Sequence, residues 1–146
     1  MRKANEEGFT LVELIIVIVI IAILAAVAIP LYLNFRKGAI DSNAQADAVN
    51  AAQQIEIYYK DHPQEGLFGK NNSDGSYAQA EITESNEGSD SLPESLRDIR
   101  VSHGNTMYIG DSGQSGQYLV LVLNPNGNKS KTGIGYNAGN GGVYDY

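Results

Sequence analysis

The chain contains no cysteine. Without thiols there is no disulfide, no thiolate metal site and no cysteine nucleophile, so the fold must be closed by packing and hydrogen bonds. Histidine is almost missing. His62 and His103 stand far apart with no carboxylate-rich motif around either, and both are expected at surface or turn positions rather than as metal ligands or general bases. Positive charge is scarce: 10 Lys+Arg against 17 Asp+Glu give a formal net charge of −7 and a pI near 4.7. A phosphate backbone is held by clustered Lys and Arg, and the second half of the chain has no basic stripe, so nucleic acid is not a partner. Nucleophile elbows, phosphate loops and paired-carboxylate contexts are also missing. No catalytic residue, cofactor or metal ligand is assigned, and the chain is not read as an enzyme.

Apolar residues, in contrast, are concentrated at one end of the 146-residue chain, in the run "NEEGFTLVELIIVIVIIAILAAVAIP" that begins at Asn5. From Leu14 to Ile29 no side chain is polar, and from Phe9 to Leu33, about 25 residues, the single charge is Glu13. A helix of that length reaches about 37 Å, enough to cross a hydrocarbon core of about 30 Å. Arg2 and Lys3 stand on the near side and Arg36 and Lys37 on the far side.

Three readings compete for this segment. The first is a plain membrane anchor in which Thr10-Leu11-Val12-Glu13 is a capping box opening the helix. The second is a secretory signal peptide cut after Ala28, with Ala26-Val27-Ala28 as the small-x-small site. Glu6 and Glu7 cancel its positive start, and Glu13 sits at the mouth of its apolar core. The third explains Gly8 and Glu13 together, because a carboxylate at membrane depth needs a partner.

"GFTLVELIIVIVIIAILAAVAIP" resembles the N-terminal signature of type IV pilins and of the related pseudopilins of type II secretion. The resemblance implies cleavage by a prepilin peptidase after Gly8 and N-methylation of the new first residue, Phe9. It implies that Glu13 neutralises the terminal amine of a neighbouring subunit during assembly, and that Pro30 kinks or locally unwinds the helix near Ala25 to Pro30. It further implies a homo-polymer with a helical core, built by inner-membrane assembly machinery from a membrane-inserted precursor and displayed at the cell surface. The pseudopilin alternative shares the same signature. A soluble domain released after Ala28 is the more distant alternative.

The remaining chain fits an α+β fold of the pilin type, a long N-terminal helix packed against a small antiparallel sheet. Four segments are expected: a leader (1–8), an apolar helix (9–33), an amphipathic helix (34–60) and a globular head (61–146). Ile40, Ala44, Ala48, Ala51, Ile55 and Tyr58 recur at spacings of three and four and form one stripe. Asp41, Asn43, Gln45, Asp47 and Gln54 are placed mostly on the opposite face. His62 before Pro63 stops the helix. The aromatics Phe9, Tyr32, Phe35, Tyr58 and Tyr59 along it are read as packing residues.

Residues 61–95 read as a polar surface connection with one short helix at Ser91 to Arg97. Its "NNSDG" shares the Asp/Asn/Gly composition of calcium loops but lacks their ligand spacing and terminal Glu. Gln117 to Asn124 is the strongest strand, followed by the turn "NPNGN". Asp98 to Val101 and Met107 to Ile109 are further strands, and "TGIGYN" and "GVYDY" are shorter ones.

Overall fold

The computed structural model describes residues 8–68, 79–85, 91–111 and 116–146. The "NNSDG" stretch lies outside them. The chain divides into two units, Met1–Phe35 and Arg36–Tyr146.

One α-helix, α1, runs from Leu11 to Asp61, with Pro30 inside it and Lys60 in its last turn. The Thr10–Glu13 capping box forms at its start. Its end follows the expected chemistry: the His62 N–H donates to the Tyr58 carbonyl at 2.9 Å, and Pro63 cannot continue the ladder. The helical assignment is unbroken on both sides of Pro30, so no unwinding occurs from Ala25 to Pro30 in the single chain.

In the first unit every large apolar side chain from Phe9 to Phe35 is 44% to 81% exposed. The run Ile15 to Ile21 consists only of Ile and Val, whose branched side chains favour lipid or a helical bundle over an isolated helix in water. By length and composition this helix can cross a membrane.

The second unit holds five strands in sequential antiparallel order: β1 (Gln79–Thr83), β2 (Thr106–Asp111), β3 (Tyr118–Leu123), β4 (Ile134–Asn137) and β5 (Gly142–Asp145). Burial alternates along β2 and β3, as expected of a sheet covered on one face. Met107, Ile109, Val120 and Val122 point inward beside Ala80, Ile82 and Ile134, and meet Ala44, Ala48, Ala51, Ala52 and Ile55 of α1. Four alanines on this side of the helix keep it thin where the sheet covers it. The Tyr118 hydroxyl donates to the Ala52 carbonyl at 3.0 Å.

The structure corrects several expectations. β1 lies within the segment read as a surface connection, and that same segment supplies Leu67, Phe68 and Leu92 to the core. Asp98 to Val101 is not a strand. It follows a single 3-10 turn, η1 (Glu94–Leu96), which replaces the helix expected from Ser91 to Arg97, and it still buries Ile99. Its β-branched residues reflect burial and not pairing.

The C-terminus is fastened without any cross-link. The Tyr146 N–H donates to the Gly133 carbonyl at 2.9 Å, and Lys129 Nζ lies 2.7 Å from Asp145 Oδ2. Gly135 has to be small, because a Cβ there would sit 2.7 Å from the Val120 carbonyl oxygen and 2.9 Å from the Tyr146 ring.

Candidate assembly site

The first residues described set the chemistry of one end of α1. A Cβ at Gly8 would meet nothing within 4 Å, and Phe9 is 81% exposed. Thr10 and Glu13 cap the helix reciprocally. Glu13 Oε2 accepts from the Thr10 N–H at 2.9 Å and from the Thr10 hydroxyl at 2.7 Å, while the Glu13 N–H donates to Thr10 Oγ1 at 3.3 Å. All three bonds use Oε2 or the backbone. Glu13 Oε1 has no partner among the described residues. Capping and a second, intermolecular role are therefore compatible in one carboxylate. Gly8, Phe9 and Glu13 fall within the first turn and its approach, whereas Pro30 lies several turns further along.

The exposed apolar surface decides what α1 can do. Burying a large apolar side chain is worth about 1.5–3 kcal/mol, so a run of nineteen roughly half-exposed ones represents on the order of 20 kcal/mol. That exceeds the typical net stability of a domain, about 5–15 kcal/mol. An arm of this kind is stable only in lipid or against other apolar arms.

In the second unit two carboxylates of α1 that were expected on the polar face turn inward. Asp47 is buried, and accepts from the Ser102 N–H at 2.7 Å, the Ser102 hydroxyl at 2.9 Å and Asn105 Nδ2 at 2.7 Å. Asn105 Oδ1 in turn accepts from Asn124 Nδ2 at 2.7 Å. Asp41 is half-buried against the turn after β3. Its Oδ1 accepts from the N–H groups of Asn128, Lys129 and Ser130 and from the Ser130 hydroxyl, at 2.7–3.2 Å. The Ser130 carbonyl closes the circuit by accepting from the Asn124 N–H at 2.8 Å. One hydrogen-bonded network thus fastens α1 to two loops of the head.

The signal for Asp47 was present in the spacing, three residues after Ala44 and four before Ala51, which places it on the buried stripe. No comparable signal marked Asp41, whose partners lie far along the chain. Ser130 is fully buried and bonded to Asp41, so the turn at Asn128 to Ser130 is part of this clamp.

Partial burial pushes the Asp41 carboxyl up, but the Ser130 and Lys129 N–H groups, the Ser130 hydroxyl and the Asn128 N–H together hold it below its ordinary value. A depressed folded-state pKa stabilises the fold above the unfolded value, about 3.9, and that contribution is lost as pH falls through the folded value. Thermal melts from pH 7 down to pH 3 should therefore fall more steeply for the native chain than for Asp41→Asn, which cannot titrate. Parallel curves would mean that Asp41 is not held by these donors.

Gly127 borders the same clamp, and a Cβ there would overlap Ser130 Oγ and the Asp41 carboxylate. Gly127→Ala is expected to cost about 1–3 kcal/mol by forcing the clamp apart. Denaturant melts that superimpose on the wild-type curve would contradict it.

The aromatic residues behave as packing residues where the head covers them. Tyr59 stacks on Tyr118 with ring centroids 6.0 Å apart, and Tyr118 on Tyr136 at 6.1 Å. Burial, aided by the Asp111 carboxylate, pushes the Tyr59 hydroxyl up; burial and Glu56 do the same for Tyr118. Phe9, Tyr32 and Phe35 remain exposed. His103 and Glu84 form an exposed pair at 2.8 Å, while His62 stacks on Tyr58. Among the described residues no group of three or more His, Asp or Glu side chains is placed to hold a metal ion.

A long helix with an apolar N-terminal part, together with a five-stranded antiparallel sheet, is the α+β arrangement of pilin-like subunits. Comparison with known proteins agrees with this class. Residues 3–29 match the prokaryotic N-terminal methylation motif. The chain is 36% identical over 128 residues to the type IV wide pilus major component PilA4 of Thermus thermophilus, covering 88% of each chain. It is 39% identical over 75 residues to the type IV major pilin protein PilE of Neisseria gonorrhoeae, covering 51% of this chain and 43% of that one. The match thus spans less than half the length of the gonococcal pilin. No solved structure matches. The chain belongs to the type IV pilin family.

Proposed function

We propose that this chain is the structural subunit of a type IV pilus, made as a membrane-inserted precursor and polymerised at the cell surface through its N-terminal helix. The observation that carries the reading is the exposed apolar run from Phe9 to Phe35, opened by a Glu13 with one uncommitted oxygen. Residues 1–8 act as the leader, a prepilin peptidase cuts after Gly8, and the amine of Phe9 is methylated. The apolar segment, residues 9–33, lies in the inner membrane before assembly and in the filament core afterwards. The amphipathic helix (34–60) carries the globular head (61–146).

Glu13 Oε1 accepts the cationic Phe9 amine of a neighbouring subunit, which keeps both charges neutralised inside an apolar bundle. Pro30 removes one backbone hydrogen bond, so the helix has a weak point there for bending or unwinding on assembly. The Thermus and gonococcal relatives bear names of major pilins, which favours the pilus over the pseudopilin reading.

Immuno-electron microscopy tests this proposal. Antibody to the head should label long surface fibres along their length. Label confined to the envelope, with secreted enzymes retained when the chain is deleted, would point to a pseudopilin instead. Gly8→Val should block processing and leave the precursor at full length in the membrane. A shorter mature form persisting in that variant would mean that Gly8 does not direct the cut.

A further inference from the structure

We propose that Lys131 of one copy of this chain docks into the groove beside Glu65 and Glu94 of the next copy, joining neighbouring subunits head to tail. The inference rests on the polymer reading above and adds to it a contact outside the apolar arm. Every residue it uses lies in the unit Arg36–Tyr146.

Among the described residues of the head, pairing within the chain leaves one cation uncommitted. Arg97 Nε donates to the Leu92 carbonyl at 3.2 Å, Arg100 lies 3.8 Å from Asp98, and Lys129 lies 2.7 Å from Asp145. The Lys131 side chain is exposed and has no ion-pair or hydrogen-bond partner among the described residues. Its backbone is nevertheless fixed. Asp41 holds the Ser130 N–H before it, and the Thr132 and Gly133 N–H groups after it donate to the Lys129 carbonyl, both at 3.1 Å. A cation on a fastened turn loses less freedom on binding than one on a loose loop.

The other end of the same unit carries the complementary surface. Tyr58, His62, Glu65, Pro93, Glu94 and Ser95 line an open groove of about 510 Å³ between the end of α1 and η1. Its wall is ordered: His62 stacks on Tyr58 with centroids 4.5 Å apart, and the Tyr58 hydroxyl donates to Glu65 Oε2 at 3.2 Å. Glu94 is exposed, and its carboxylate has no partner among the described residues. Lys60 and Asp61, adjacent in the last turn of α1, cancel in charge. Two carboxylates on one groove select a cation, and the Tyr58–His62 stack and Pro93 offer apolar surface to the stem of a lysine.

Distance makes the contact intermolecular. Asp41, which holds the turn before Lys131, and Tyr58, which lines the groove, stand 17 residues apart on α1, about 25 Å. A chain's own Lys131 therefore cannot reach its own Glu94. Two different patches at opposite ends of one unit make a heterologous contact, which repeats into an open array unless rotation closes it. The pairing also sets a free cation against the acidic excess of a subunit with net charge −7, and so offsets repulsion between copies.

Charge exchange in the full chain, read as filament number on intact cells, tests the pairing. Lys131→Glu and Glu94→Lys should each lower filament number about fivefold, as an exposed attraction becomes a like-charge contact. The double variant restores the pair in reverse and should return to within about twofold of wild type. Immunoblots should show unchanged precursor in all three, since both side chains are exposed. A double variant no better than the singles, or wild-type filament number in either single variant, overturns the pairing. The lack of cysteine permits a second, position-specific readout. Filaments from cells making Lys131→Cys and Glu94→Cys chains together, treated with a copper(II)–phenanthroline complex, should yield a disulfide-linked heterodimer that neither chain yields alone. The copper takes the two electrons and solvent the two thiol protons. Assembled filaments without that heterodimer overturn the proposal. Wild-type chains that form no filament overturn the polymer reading itself.

Discussion

Glu13→Ala is expected to abolish surface filaments while the precursor stays folded, inserted and processed. The two consequences separate because the carboxylate has two jobs. As a cap it satisfies Thr10 at an exposed helix end, where water readily replaces it. In the proposed filament it would meet a cationic amine inside a bundle of apolar arms, where no water can substitute and a stranded charge is heavily penalised. Filament number should therefore fall by a factor of about 100 or more, on the scale of breaking a buried ion pair. Glu13→Gln sharpens the test, since the amide can still accept from Thr10 but carries no charge. Fibre counts by electron microscopy, with immunoblots of the membrane fraction, measure both quantities. Wild-type fibre numbers in the Gln variant would mean that charge pairing does not drive assembly.

Asp47→Ala should produce the largest loss of stability in the head. Removing the carboxylate strips the Ser102 N–H and Asn105 Nδ2 of an acceptor, and Asn105 is itself only 3% exposed. Orphaning a buried donor costs about 1–3 kcal/mol, which Asn105 Nδ2 incurs in full and the half-buried Ser102 N–H only in part, so the change removes about 2–4 kcal/mol from a fold worth about 5–15. Asp47→Asn distinguishes hydrogen bonding from charge. Its carbonyl can take the place of Oδ2 and its amide can donate to the Ser102 hydroxyl after that group rotates. It should therefore retain most of the stability, losing about 1 kcal/mol as charge-assisted bonds become neutral ones. Denaturant melts followed by tyrosine fluorescence give the comparison. An Ala variant as stable as the Asn variant would show that the network contributes little.

These two residues also mark what the sequence could disclose. Glu13 was legible because it interrupts a run with no other charge, an anomaly that needs no knowledge of the fold. The stripe from Ala44 to Tyr58 and the strand at Gln117 to Asn124 were legible for a similar reason, since each obeys one local period. Asp47 satisfied the period of the stripe but violated its chemistry, and the residues that excuse the violation, Ser102 and Asn105, lie in a loop after η1. β1 was concealed because its neighbours are polar and turn-rich, and because "QAEIT" has only Ala80 and Ile82 to bury. Asp98 to Val101 erred in the opposite direction, as β-branched residues serve a buried loop as well as a strand. Local period reveals elements, whereas the contacts that fasten α1 to the head join residues tens of positions apart.

The absence of cysteine now has a structural counterpart. This chain closes its C-terminal region with polar contacts. Asp41 gathers the turn at Asn128 to Ser130, Lys129 reaches Asp145, and the Tyr146 backbone returns to Gly133.

The central claim is that the chain is cut after Gly8 so that the amine of Phe9 can meet a carboxylate in an apolar bundle. Intact-mass and N-terminal peptide mass spectrometry on protein sheared from native cells tests it most directly. The account predicts a single chain beginning at N-methylated Phe9. A surface chain beginning at Ile29 would contradict it, because Glu13 and the whole apolar arm would have been discarded before any filament could form.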